Sequence, residues 1–187
     1  MLGTMLTAPI RRRRAPADTP PVGREHYEPT PFASSREVAT LKAADVPVAK
    51  TPEQGWRGSD WPAPVLAGCD EPLVDGAPDL RGVWRVERGP LEGHVERVEQ
   101  AGDRVVITAV GIIHDMFVNG TLEGGVNDVS EAGTQISVAA RFEGGRHNLY
   151  PGNKKIVAVT RYLDGDEMVW RWGPWRNRLK RLDPPAG

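Results

Sequence analysis

The run Ile112-Ile113-His114-Asp115-Met116-Phe117 sets an imidazole directly beside a carboxylate inside an apolar stretch. On a β-strand successive side chains point to opposite faces, so His114 and Asp115 cannot form a hydrogen-bonded acid–base dyad. One of the two faces inward. An unpaired buried carboxylate costs far more than a neutral imidazole, which predicts His114 inside together with Ile112 and Met116. There it could serve as a hydrogen-bond partner for a ligand, a general base or a haem ligand. The plainer alternative is an interior histidine bonded to a neighbouring strand.

Other polar residues offer less. In the run 134–142, Ile136, Val138, Ala140 and Phe142 share one face and Gln135, Ser137 and Arg141 the other, so Val138 and Phe142 are expected inside and Arg141 outside. Arg161 and Tyr162 are adjacent, hence on opposite faces; either could hold a ligand's polar end, but not both together. His147 and Tyr150 lie near a strand end, and His94 beside a turn, where side chains are expected to be exposed. The sequence has no Gly-x-Ser-x-Gly, no phosphate-binding loop and no His-Glu-x-x-His. The single Cys69 excludes an internal disulfide and a thiolate metal site, and no metal centre is expected.

Residues 167–182 pack Trp170, Trp172 and Trp175 among Arg171, Arg176, Arg178, Lys180 and Arg181. Such interleaving can stack and grip single-stranded nucleic acid. The net charge of −1 supplies no global field for a polyanion, so a solvated barrel face is the expectation here and no nucleic-acid partner is predicted. The four arginines at 11–14 are likewise expected to form a solvated tail. No apolar run approaches the ~20 residues needed to span a bilayer, and the arginines follow rather than precede the mildly apolar first ten residues. These features predict a cytoplasmic protein without a membrane partner.

The elements that must position these side chains change character near residue 80. Residues 1–80 hold twelve of the 17 prolines, whereas 81–187 hold fifteen of the 21 glycines. Proline spread through polar sequence gives extended, unpaired backbone, so 1–79 is expected to be an arm and 80–187 a packed domain. Within the arm, 35–45 is the one helical candidate, capped by Ser34 or Ser35 and stopped by Val46-Pro47. Trp56 and Trp61 follow in a segment too rich in proline and glycine to bury them itself, which predicts docking on a neighbouring surface.

From Arg81 onward the pattern is period-two alternation broken by turn residues such as Gly102-Asp103, Asn119-Gly120, Gly144-Gly145 and Asp164-Gly165. Strands are expected within 103–110, 111–118, 134–142, 154–163 and 167–172. Eight to ten short antiparallel strands joined by hairpins favour an up-and-down β-barrel over a sandwich, because closure removes exposed edges. The predicted class is all-β, with a proline-rich arm carrying one short helix.

Gly82-Val83-Trp84 opens the first strand and Leu179-Lys180-Arg181-Leu182 ends the last. This pairing resembles the lipocalin, or wider calycin, pattern, in which Gly-x-Trp packs its indole under an arginine near the end of the barrel. The resemblance covers about 80–182 and implies Gly82 and Trp84 as the plug, with Arg176, Arg178 or Arg181 over the ring. It also implies an interior that binds a small hydrophobic or amphipathic molecule without catalysis. In fatty-acid carriers an inward arginine and tyrosine clamp a carboxylate, a role Arg161 or Tyr162 could take singly. The chain departs from the pattern in its short barrel, its lack of a C-terminal helix and paired cysteines, and the absence of room for a helical lid between 88 and 93.

Ligand contacts are therefore expected from Ile112, His114, Met116, Val138, Phe142, Tyr162, Trp170 and Trp172, with no cofactor, or haem as the alternative. The competing expectations are a barrel isomerase or cyclase using His114 and an interaction protein acting through its arm. A homodimer is compatible with either.

Overall fold

The computed structural model describes residues 41–53, 61–109, 111–130, 132–152 and 155–182. Ten antiparallel strands form one sheet: β1 (Gly82–Arg88), β2 (Val95–Ala101), β3 (Arg104–Ala109), β4 (Ile112–Phe117), β5 (Val126–Val129), β6 (Gln135–Phe142), β7 (His147–Pro151), β8 (Val159–Asp164), β9 (Glu167–Trp172) and β10 (Trp175–Arg181). The strand order is β4-β3-β2-β1-β10-β9-β8-β7-β6-β5. All pairs but one join sequence neighbours. The exception is β1 with β10, where Trp84 lies opposite Arg181 and Val86 opposite Leu179. The result is a nearly closed up-and-down barrel, consistent with a calycin-like fold.

The terminal hairpin closes the ring, as its tryptophan-rich sequence suggests, and the discontinuity falls elsewhere. β4 and β5 are consecutive in sequence yet stand at the two ends of the sheet. Phe117 N–H donates to the Gly124 carbonyl at 2.7 Å, and the chain then turns into β5. Gly125 fits there because a Cβ would lie 1.9 Å from the Val138 carbonyl oxygen, so β5 can approach β6 only without a side chain at that point.

The interior core gathers Leu80, Trp84, Val86, Val98, Val105, Ile107, Met116, Val126, Ala140, Leu149, Met168 and Leu179, the alternate residues of nearly every strand. A second, smaller core lies outside the wall. Ala43, Leu66, Ala101, Val106 and Ile113 pack together with Ala49, Val65 and Cys69, so the described parts of the arm cover the outer face of β2–β4. Every residue of β2 and β3 is buried as a consequence. Of the candidate helix at 35–45, residues 35–40 lie outside the described residues; its end is a 3-10 turn, Ala43–Asp45, followed by extended Val46. Trp56 also lies outside them, whereas Trp61 is half-buried. Among the described residues no helix is long and apolar enough to cross a membrane.

Charged side chains fasten the arm. Arg104, with no exposed surface, donates to both oxygens of Asp115 at 2.9 and 2.6 Å. Its remaining N–H groups donate to the carbonyls of Ala43, Val46 and Pro47 at 2.5, 2.6 and 3.0 Å. Ala49 N–H donates to Asp115 Oδ2 at 2.7 Å. Further along, Leu66 N–H donates to Glu99 and Arg97 to the Pro62 carbonyl, both at 2.8 Å. Burial raises the carboxyl of Glu99, and Arg97 only partly offsets this. Each of these groups finds hydrogen-bond partners in the layer that removes it from water.

Candidate functional site

The barrel interior carries a polar cluster that the remaining apolar lining makes conspicuous. Glu96 on β2 is 1 % exposed and accepts two hydrogen bonds from Arg161 on β8, Nε to Oε1 and Nη2 to Oε2, each 2.9 Å. The guanidinium lies over the Trp170 ring at 4.8 Å, and the His94 ring is 5.3 Å from the same indole. Across β7, β8 and β9 the register sets His147 opposite Arg161 and Arg161 opposite Trp170, so the three share the inner face. The His147 ring packs 5.7 Å from that of Phe142.

This cluster is only partly satisfied. Both ring nitrogens of His147 and Nε1 of Trp170 are buried and, among the described residues, have no hydrogen-bond partner. A buried orphan of this kind costs about 1–3 kcal/mol. His147 has no exposed surface, and burial, with the nearby Arg161 charge, pushes its imidazole down to about 3. It is neutral at physiological pH. For Glu96, burial favours the protonated form, but the charge and hydrogen bonds of Arg161, with smaller contributions from His94 and His114, hold its carboxyl below the ordinary range. Glu96 and Arg161 therefore form an ionised pair of zero net charge.

The residues expected at the site distribute as follows. His114 and Met116 are on the inner face of β4, Met116 within the core and His114 opposite core residue Ile107; Ile112 is half-buried on the same face. His114 Nε2 lies 3.0 Å from the Val129 carbonyl oxygen on β5. A carbonyl only accepts, so Nε2 carries the proton, and the imidazole ties β4 to β5 from within. Val138, Phe142 and Trp170 pack against the interior core. Trp172 is half-buried opposite Val159, with its ring 5.1 Å from Trp175. Tyr162 lies on the outer face instead, its ring covered by the Arg146 guanidinium at 3.9 Å, because its neighbour Arg161 takes the inward position. Arg141 is outside too, over the Tyr150 ring at 5.2 Å.

Two histidines expected at the surface are not there. His147 is fully buried because Glu143 and Arg146 close the turn before it, leaving His147 as the first strand residue opposite Phe142. Sharing a face with Leu149 was the signal that could have found it. His94, with 13 % of its side chain exposed, stacks on Trp170. Glu96 had no comparable signal. It sits in a strand whose composition, Val-Glu-Arg-Val-Glu-Gln-Ala, looks solvated.

At the closed end, Trp84 donates from Nε1 to the Leu80 carbonyl at 2.8 Å and carries the Arg181 guanidinium over its ring at 4.5 Å. Arg178 instead pairs with Asp164 and Glu167 outside, each at 2.7 Å, and Arg176 is an exposed neighbour of Asp164. Gly82, at φ 132°, starts the strand in a conformation that favours glycine.

A cleft of about 550 Å³ opens on the outer surface between Val48, Lys50, Phe117 and the 119–127 segment. Its buried carboxylate, Asp115, is already bonded to Arg104 and Ala49, so it holds no unspent polar group comparable to those inside. Among the described residues no group of three or more His, Cys, Asp and Glu side chains could hold a metal ion.

Fold and site together define a ten-stranded, nearly closed up-and-down barrel with an ionised pair and unpartnered hydrogen-bonding groups in its interior. Neither a protein-family model nor a curated protein matches the chain in sequence.

Proposed function

We propose that the protein binds a small apolar or amphipathic molecule inside the barrel and performs no reaction on it. The observation that carries this reading is the set of unpartnered polar atoms on His147 and Trp170, beside the Glu96–Arg161 pair in an interior whose core is mainly aliphatic and aromatic. Native interiors rarely leave such groups unmatched, and a ligand with one polar end would satisfy them. The apolar contacts would come from Met116, Val138, Phe142 and Trp170, with Ile112 and Trp172 flanking them. Catalysis by His114 has less support, since its Nε2 is spent on the Val129 carbonyl.

Native mass spectrometry of the full chain purified under gentle conditions, followed by titration with the uncharged dye Nile red, tests the proposal. A co-purifying mass adduct or saturable one-to-one dye binding, weakened in His147→Phe, is the expected result. A bare mass together with no saturable dye signal overturns it. A Soret band in the purified protein would point to haem instead.

A further inference from the structure

We infer that the interior site selects an uncharged ligand, an apolar chain ending in a hydroxyl, over a fatty acid. This deepens the proposed function and rests on it.

The argument is one of charge and of donor count. Arg161 is the guanidinium at the site, and its Nε and Nη2 are both committed to Glu96 at 2.9 Å. Its charge is thus already balanced. A carboxylate brought in beside the pair would gain no net cation and would meet the like charge of Glu96, while losing its own hydration. Burying an unpaired carboxylate is strongly unfavourable even after local relaxation. Tyr162, whose hydroxyl such a clamp would use, is on the opposite face beneath Arg146.

The groups that are unspent suit a neutral partner. Trp170 Nε1 can only donate. The buried His147 imidazole, held neutral by its surroundings, offers one N–H and one bare nitrogen. Together they present two donors and one acceptor on the strands either side of Arg161. A hydroxyl both donates and accepts, so it can meet an N–H and the bare nitrogen at once. A carboxylate could use only the donors and would leave the bare nitrogen facing a lone pair.

The test compares 1-dodecanol with dodecanoate, matched in chain length, by titrating the full-length protein at pH 8 and following tryptophan fluorescence, with dodecanoate kept below its micellar concentration. At that pH ordinary imidazoles are neutral and the fatty acid is ionised. The expected result is dodecanol bound roughly tenfold or more tightly. Glu96→Gln removes the counter-charge, and dodecanoate should then gain about tenfold or overtake the alcohol, because Arg161 becomes available to it. Dodecanoate bound by the native chain as tightly as dodecanol overturns the inference alone. So does a folded Glu96→Gln protein that still rejects dodecanoate. Should that variant fail to fold, the native comparison decides. Binding of neither compound, nor of Nile red, removes the interior-binding reading and this inference with it.

Discussion

The barrel buries charge on both the outer and the inner face of its sheet, and the two faces solve the problem differently. Outside, Arg104 and Asp115 lie beneath the arm, and the guanidinium is matched by two carboxylate oxygens and three main-chain carbonyls. Inside, Glu96 and Arg161 are matched to each other, but the adjoining His147 and Trp170 are not matched at all. Complete satisfaction is what a structural fastening requires. Incomplete satisfaction costs stability without benefit to the fold. The contrast separates two clusters that composition alone would class together.

Breaking the outer pair has the largest expected effect. Arg104→Met leaves Asp115 buried without its counter-ion and three arm carbonyls without donors, so unfolding by urea should show a loss of about 3–5 kcal/mol. Ligand affinity in whatever folded fraction remains should be unchanged, since Arg104 faces away from the interior.

The inner cluster responds to pH. His147 titrates near 3 when folded and near the ordinary histidine value when unfolded, so between those limits the unfolded chain binds one more proton. Stability from this residue is complete well above pH 6.5 and declines as pH falls through that value, by about 1.6 kcal/mol between pH 6.5 and 5. Urea unfolding across that range should show this decline in the native protein and a correspondingly shallower one in His147→Phe. Equal slopes would mean that His147 is not buried as a neutral base.

The same substitution at fixed pH sharpens the comparison. Replacing an unpaired imidazole by an apolar ring of similar shape should raise stability by about 1 kcal/mol at pH 8 while weakening ligand binding. A structural role for His147 would make the variant less stable instead. Smallest of all is Arg181→Leu, which removes the cation over Trp84 at the closed end. A loss of about 0.5–1 kcal/mol in thermal or urea unfolding, with no change in ligand affinity, is expected.

Much of this architecture was legible. Alternation after residue 103 and the glycine-bearing turns announce a hairpin barrel, and His114 with Met116 falls on the inner face by the cost of burying Asp115 unpaired. Asp115 is in fact buried on the outer face, where Arg104 supplies the partner that a single strand's pattern cannot reveal. The same hidden layer obscures β2. Alternation reports one dry and one wet face, and a strand covered on both sides loses that contrast. Glu96 and Glu99, three residues apart, look like solvated carboxylates, yet one reaches across the barrel to Arg161 and the other caps Leu66 of the arm. Each partner is too far away in sequence for local spacing to suggest it. His147 was obscured by a different effect: the Gly144-Gly145 turn is so tight that the strand begins directly after it.

The displaced discontinuity of the ring has a consequence for how the chain could be cut. Thr51 stitches the gap between β4 and β5: its hydroxyl donates to the Ile113 carbonyl at 3.2 Å and accepts from Ile113 N–H at 3.0 Å, while its own N–H donates to Asp128 at 2.9 Å. Lys50 reaches the Asn127 carbonyl at 2.8 Å. The covalent link between the two halves of the barrel, the exposed turn around Thr121 and Glu123, is thus duplicated by the arm and by the β1–β10 ladder, whose Trp84–Arg181 pair joins positions 97 residues apart. A protease nick in that turn would leave two fragments held as one molecule, and separate expression of the two pieces could reconstitute it.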